Sequence, residues 1–248
     1  MRITIRLWGE GECVLPVHYN HIVQAFIYGS LGELRERWHD EGFVLGKRRF
    51  KPFTFSRLMG KCKLENNRIR FQYPIELKIS SPMVEFMEEL ACNLARKPEF
   101  RLGGNRVVVE AINVEFMPEI HGEERIRMIS PMTMYSTVKT ADGRRKTYYY
   151  SPVEKEFAKL IGENLVKKYR ALYGEEPENV TFNIEPIGFK SGWLKIIKYK
   201  GTVIKGWMGD YKVDGAQELI KLAYEAGLGA KTAQGFGMFE IVRKGSKL

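Results

Sequence analysis

The strongest constraint on this chain is an order of segments that runs through it twice. Arg2-Ile3-Thr4-Ile5-Arg6-Leu7 alternates polar and apolar residues with a period of two, the pattern of a half-buried strand. Ile22, Val23, Phe26 and Ile27 then recur at helical spacing, with Asn20 read as the N-cap. Ser30-Leu31-Gly32-Glu33 has the form of a capping box and starts a second short helix through Arg37 or Trp38. Phe53 to Leu58 and Arg68 to Ile79 read as strands, with a hairpin turn at Asn66-Asn67. Pro82 opens a helix whose apolar stripe is Met83, Phe86, Met87, Leu90, Ala91 and Leu94. Strand residues resume at Phe100, turn at Gly103-Gly104-Asn105 and continue from Arg106 to Phe116.

Pro118 to Glu124 is polar and aperiodic, and reads as a linker. The scheme then returns. Arg127 to Lys139 reads as a strand, Ala141 to Arg144 as a turn, and Thr147 to Tyr150 as the hairpin partner. Ser151-Pro152-Val153-Glu154 is a capped helix start, followed by a stripe through Phe157, Leu160, Ile161, Leu165, Val166 and Tyr169. Val180 to Pro186, Trp193 to Tyr199 and Thr202 to Met208 read as strands, and Asp214 caps a last helix from Ala216 to Ala226. Strand, helix, strand, strand, helix, strand, twice over, predicts an α+β fold of two tandem ferredoxin-like (βαββαβ, RRM-like) domains, residues 1–118 and 125–248. No residue-level repeat accompanies the order, so the duplication is architectural.

Between the last helix and the last strand lies Gly227-Leu228-Gly229-Ala230-Lys231-Thr232-Ala233-Gln234-Gly235-Phe236-Gly237. Glycines let the backbone bend and let other groups approach its N–H donors, so Gly227, Gly229, Gly235 and Gly237 with Lys231 and Gln234 suit a phosphate backbone. The alternative is a tight helix-to-strand turn with no ligand. A Walker loop is excluded: it needs a glycine directly before the lysine and another five residues earlier, and those positions are Ala230 and Glu225. A helix enters the loop and a strand leaves it, the reverse of the Walker and Rossmann orders. An ATPase or a dehydrogenase is thereby disfavoured.

Charge points the same way. Lys and Arg number 40 against 30 Asp and Glu, a formal net charge of +10, which favours a polyanionic partner with nucleic acid ahead of a membrane surface. Cys13, Cys62 and Cys92 form no CxxC pair, so neither a disulfide framework nor a zinc site is expected; they read as reduced thiols in or near a core. No run of about 18 apolar residues is present, and Met1 to Trp8 lacks the apolar centre of a signal peptide. The expectation is a cytoplasmic protein without a membrane span, and without metal or cofactor.

Four histidines are available. His18 and His21 flank Asn20 and read as structural, and His121 falls in the linker. His39 directly precedes a loop dense in cations, Lys47, Arg48, Arg49 and Lys51. Tyr28 lies eleven residues before His39, a separation of roughly 16 Å on one continuous helix, which a fold-back at Gly29 to Gly32 would close. Tyr, His and Lys without metal can carry out acid–base transesterification of RNA. One group takes the proton from a ribose 2′-hydroxyl, another protonates the leaving 5′-oxygen, and a cation steadies the phosphorane.

Pro16-x-x-Tyr19-Asn20-His21, Gln24-x-x-Ile27-Tyr28, a following His and a basic loop ending Lys51-x-Phe53-Thr54-Phe55-Ser56 resemble the N-terminal region of the Cas6 proteins, RNA-processing endoribonucleases of CRISPR systems. Gly227-x-Gly229 with Gln234-Gly235-Phe236-Gly237 resembles the glycine-rich loop of that family's C-terminal domain. The resemblance implies metal-independent cleavage of precursor CRISPR RNA within each repeat, leaving 5′-hydroxyl and 2′,3′-cyclic phosphate ends. It assigns catalysis to Tyr28, His39 and Lys51, with Lys47 a rival for Lys51 because Gly42 to Gly46 lengthens the loop. RNA binding falls to Lys47, Arg48, Arg49 and the glycine-rich stretch. CRISPR effector subunits and a second copy of the chain remain open as partners. The alternative function is an RNA-binding paralogue that holds guide RNA without cutting it.

Overall fold

A computed structural model describes residues 1–32, 50–140 and 142–243, together with the backbone of 43–45 and 48–49. In the first half β1 (Arg2–Trp8) places Ile3, Ile5 and Leu7 on one face, all fully buried, as their alternation requires. After β2 (Glu12–Pro16) comes α1 (Asn20–Gly29), then the paired β3 (Phe43–Leu45) and β4 (Arg48–Phe50), and β5 (Thr54–Phe55). β6 (Cys62–Glu65), β7 (Arg68–Gln72) and β8 (Ile75–Ser80) follow, then α2 (Val84–Arg96), β9 (Phe100–Leu102) and β10 (Asn105–Glu115). The main sheet has the order β5-β8-β1-β10-β9. Numbered within the βαββαβ unit, its four principal strands run 2-3-1-4, all antiparallel, with β9 added at one edge. Val23, Phe26 and Ile27 of α1 and Phe86, Met87, Leu90 and Leu94 of α2 cover the apolar face of that sheet. A separate sheet, β2-β7-β6, turns at Asn66 and Asn67, both at positive φ, the residue type a two-residue turn of that hand prefers.

The second half repeats the plan. It comprises β11 (Glu123–Met128), β12 (Tyr135–Lys139), β13 (Arg145–Tyr149), α3 (Lys155–Tyr173), β14 (Phe182–Pro186), β15 (Leu194–Tyr199), β16 (Thr202–Trp207), β17 (Asp210–Gly215), α4 (Gln217–Ala226) and β18 (Phe239–Ile241). Its sheet, β14-β17-β11-β18, has the same 2-3-1-4 order. The fold is two tandem ferredoxin-like units, as the segment order predicts. β12–β13 and β15–β16 stand apart as two-stranded hairpins, joined by a hydrogen bond from Tyr149 Oη to Val203 O at 3.0 Å.

Several local readings are corrected. The strand expected over 127–139 is two strands in different sheets, and the first begins at Glu123, inside the expected linker. Glu124, Ile126 and Met128 alternate inward, and the pairing ends at Met128, after which Ile129 N and Ser130 N both donate to Met238 O. β17, a central strand with Tyr211 and Val213 buried, was not anticipated, and Asp214 belongs to it rather than capping α4. The strand expected over 53–58 is β-paired with β8 at Thr54 and Phe55, with a further hydrogen bond from Ser56 N to Lys78 O at 3.0 Å, and the Asn66-Asn67 turn joins β6 to β7 instead. α3 starts at Lys155, after a turn in which Ser151 N donates to the Glu154 carboxylate. Cys13 is buried, and burial pushes its thiol up to about 11, but Cys62 and Cys92 are exposed. The second short helix lies largely outside the described residues; Ser30 itself donates back to Phe26 O at 2.9 Å. Among the described residues no helix is long and apolar enough to cross a membrane.

Candidate nucleic-acid interface

The two units meet along the glycine-rich stretch, and α1 reads its backbone. Asn20 does not cap its own helix. It is buried, its Nδ2 donates to Gln234 O at 2.8 Å and Gly235 O at 3.2 Å, and its Oδ1 accepts from Arg57 Nη1 at 2.7 Å. Gln24 Nε2 donates to Ala233 O at 2.6 Å, and Thr54 Oγ1 to Phe236 O at 2.9 Å. The glycines serve this packing. A Cβ on Gly235 would stand 2.4 Å from the Phe55 ring, and one on Gly237 2.0 Å from Leu228 O, both at φ +81.

Five of the loop's amides are correspondingly spent inside the protein. Gly227 N donates to Ala223 O, Leu228 N to Gly237 O, Ala230 N to Thr133 O, Gly235 N to Thr232 O and Gly237 N to Pro131 O, all at 2.8–2.9 Å. The expectation that these N–H groups lie open to a phosphate is overturned for those five residues. Gly227, Gly229, Gly235 and Gly237 are needed for close approach of protein, and the stretch turns the side chains of Lys231 and Gln234 outward.

Those side chains face a cavity of about 750 Å³ between the units, whose wall includes Lys51, Tyr135, Lys168, Lys200, Lys231 and Gln234. No Asp or Glu among the described residues lines it. Lys51, Lys200 and Lys231, without a carboxylate among the described residues of the wall, give a positive potential in a partly enclosed space, which raises the local concentration of an anion. Lys231, itself at φ +60, holds its Nζ 5.0 Å from the centre of the Tyr135 ring. Lys200 follows Tyr199, whose hydroxyl donates to Gln24 Oε1 and whose ring meets His21 edge-on at 6.5 Å, so the β15–β16 hairpin docks on α1.

Tyr28 and Lys51, predicted from separate segments, are brought together. The Tyr28 ring is buried edge-on against Phe53 at 5.5 Å, and Lys51 Nζ stands 5.5 Å from its centre. Lys51 lines the cavity. His39 and Lys47 lie outside the described residues, as do the side chains of Arg48 and Arg49. His18 and His21 have a buried Nδ1 with no hydrogen-bond partner among the described residues, whereas His121 is exposed beside Glu119.

Sequence reasoning missed Asn20 and Gln24 as loop-binding residues, and Lys168, Tyr135, Tyr199 and Lys200 as cavity residues. For Lys168 a signal existed. Phe157, Ile161, Leu165 and Lys168 follow one another at helical spacing on a buried stripe, and a lysine there requires a partner.

The fold and this seam define a class: two tandem ferredoxin-like units locked along a glycine-rich segment, with a lysine-lined cavity between them. Residues 113–241 match the family model "CRISPR associated protein Cas6, C-terminal". The CRISPR-associated endoribonuclease Cas6 1 of Methanocaldococcus jannaschii is 30% identical over 96% of this chain and 91% of its own length. The CRISPR-associated endoribonuclease Cas6 of Pyrococcus furiosus is 28% identical over 97% and 90%. A solved structure of a Cas6-related protein from P. furiosus superposes with a TM-score of 0.86 at 25% identity, covering 98% of this chain and 99% of that one. The chain belongs to the Cas6 family.

Proposed function

We propose that this protein is a metal-independent endoribonuclease that cleaves precursor CRISPR RNA within its repeats. The observation that carries the proposal is a lysine-lined cavity with no carboxylate among the described residues of its wall, where Lys51 lines the wall and stands 5.5 Å from the buried Tyr28 ring, in a chain whose relatives are named endoribonucleases. In this reading His39 takes the proton from the ribose 2′-hydroxyl, whose oxygen attacks the adjacent phosphorus. The 5′-oxygen leaves with a proton from Tyr28, giving 5′-hydroxyl and 2′,3′-cyclic phosphate ends. Lys51, with Lys47 as its rival, steadies the charge gathering on the phosphorane. The chemistry belongs to residues 1–118, and 125–248 supplies Lys231, Gln234 and the glycine-rich framework that shapes the RNA path.

The test is cleavage of a repeat RNA in EDTA by wild type and His39→Ala. Wild type should cut, and the variant should bind without cutting. Cleavage by the variant at the wild-type rate would remove His39 from the mechanism. A 2′-deoxy sugar 5′ to the cut should abolish cleavage, since the nucleophile is gone. A second reading, RNA binding without catalysis, draws on a P. furiosus relative at 26% identity over 98% of this chain that is named a putative endoribonuclease-like protein. Binding without cutting by the wild type would favour it.

A further inference from the structure

Lys168 is a buried lysine with no acidic partner among the described residues. It stands on α3, 6% exposed, and its Nζ donates to Gly227 O at 2.7 Å and Gly229 O at 3.0 Å. Both carbonyls belong to the seam segment, and Lys168 also lines the cavity. Two acceptors need only two N–H donors, and a neutral amine has two. The third proton of an ammonium finds no protein acceptor among the described residues. The fold uses the nitrogen as a donor to two carbonyls, and a neutral amine suffices for both.

We propose that Lys168 is a positioning residue of the cavity, holding the glycine-rich segment through its amine and taking up a proton when a phosphate-bearing strand enters. The inference rests on the RNA-binding reading above. Desolvation alone pushes the ammonium's pKa down to about 7, so the site is poised near neutrality. A phosphate in the cavity favours the charged form, so binding draws a proton in. By linkage, affinity then falls as pH rises above about 7, by at most about tenfold per pH unit.

The neighbouring titratable groups are engaged elsewhere. From β14, Glu185 accepts from Asn183. From α4, Glu218 accepts from Asn179 N and Glu225 holds the N-terminal amine, while Lys221 is exposed. On α3 itself Glu163 pairs with Lys167, and Arg170 with Glu176. β3 (Phe-Val-Leu) carries no titratable side chain. The cavity wall adds only Lys51, Lys200, Lys231, Tyr135 and Tyr199, none acidic at neutral pH.

The experiment is calorimetry of a 2′-deoxy-blocked repeat RNA from the source genome, with wild type and Lys168→Met, from pH 6 to 9. Two buffers of different ionisation enthalpy give the protons taken up. Wild type should take up about half a proton more than the variant near pH 7.5. It should bind about tenfold tighter than the variant at pH 6 and about equally at pH 9. Equal proton uptake by the two proteins would overturn the inference, because a lysine that merely braces the loop does not move that quantity. If Lys168→Met does not fold, the Lys168 Cε resonance of wild type is titrated with and without RNA. An upward shift of its midpoint supports the proposal, and an unmoved midpoint overturns it. No RNA binding at any pH would count against the RNA reading itself and the inference with it, whereas binding without Lys168 titration counts against the inference alone.

Discussion

Gly237 is a position where no other residue fits. Its φ of +81 strains any L side chain, and its missing Cβ makes room for Leu228 O. Gly237→Ala should cost about 2–4 kcal/mol, read as a lower denaturation midpoint with unchanged slope. An effect under about 0.5 kcal/mol would show that the seam shifts to accept a methyl group. Asp210 makes the opposite case, stability written in charge. Arg127 grips it with two hydrogen bonds at 2.7 and 2.9 Å, and Arg125 adds a third at 3.1 Å, so its carboxyl is held below the usual range. A lowered acid pKa stabilises the fold above the unfolded value and loses that stabilisation as pH falls through the folded one. Asp210→Asn should therefore cost about 1–3 kcal/mol at pH 7 and almost nothing near pH 2, measured by unfolding at the two pH values.

At the scale of elements, the glycine-rich segment uses the amides of Gly227, Leu228, Ala230, Gly235 and Gly237 inside the protein and sets Lys231 in the cavity wall. Lys231→Ala should weaken RNA binding and lower the salt slope of the affinity by about one phosphate contact while leaving stability within about 0.5 kcal/mol. An unchanged slope would remove Lys231 from the interface. How much of this was legible follows from what each segment buries. α2 and β1 were read from periodicity because one face of each meets an apolar layer, and the pattern records it. β17 escaped because Asp210-Tyr211-Lys212-Val213-Asp214 is short, with only two inward residues between flanking charges. Asn20 misled for a related reason: its side chain suits a helix cap, but the stronger demand came from carbonyls more than two hundred residues away.

At the scale of the whole molecule, the first residues bind the second unit. The Arg2 guanidinium is 1% exposed, lies 3.6 Å from the centre of the Tyr224 ring, and donates to Phe239 O at 3.0 Å and Tyr224 O at 2.7 Å. Burial pushes its pKa down, while Glu115 and Glu240 nearby oppose that, and Lys78 bridges both carboxylates at 2.8 and 2.9 Å. Removing the side chain takes the guanidinium donors from Phe239 O and Tyr224 O, leaving Tyr224 O only the long bond from Ser80 Oγ at 3.4 Å, and opens a void beside Tyr224. Arg2→Ala should cost about 2–4 kcal/mol and split one calorimetric transition into two, one per unit. A single transition at the wild-type temperature would show that the units are coupled elsewhere.

Composition, period and order by themselves determined that the chain folds as two ferredoxin-like units, and with the motifs' resemblance put His39, Tyr28, Lys51 (Lys47 as rival) and the glycine-rich stretch forward as its expected working parts. Those are local properties: which face of a segment is apolar, and which residue bends. Only the tertiary structure decided what the glycines are for. Whether a glycine opens an amide to a ligand or admits a neighbouring atom depends on what stands within about 3 Å of it. At Gly235 and Gly237 that is Phe55 and Leu228, so the stretch is the seam of the molecule, and the lysines beside it are what face the cavity.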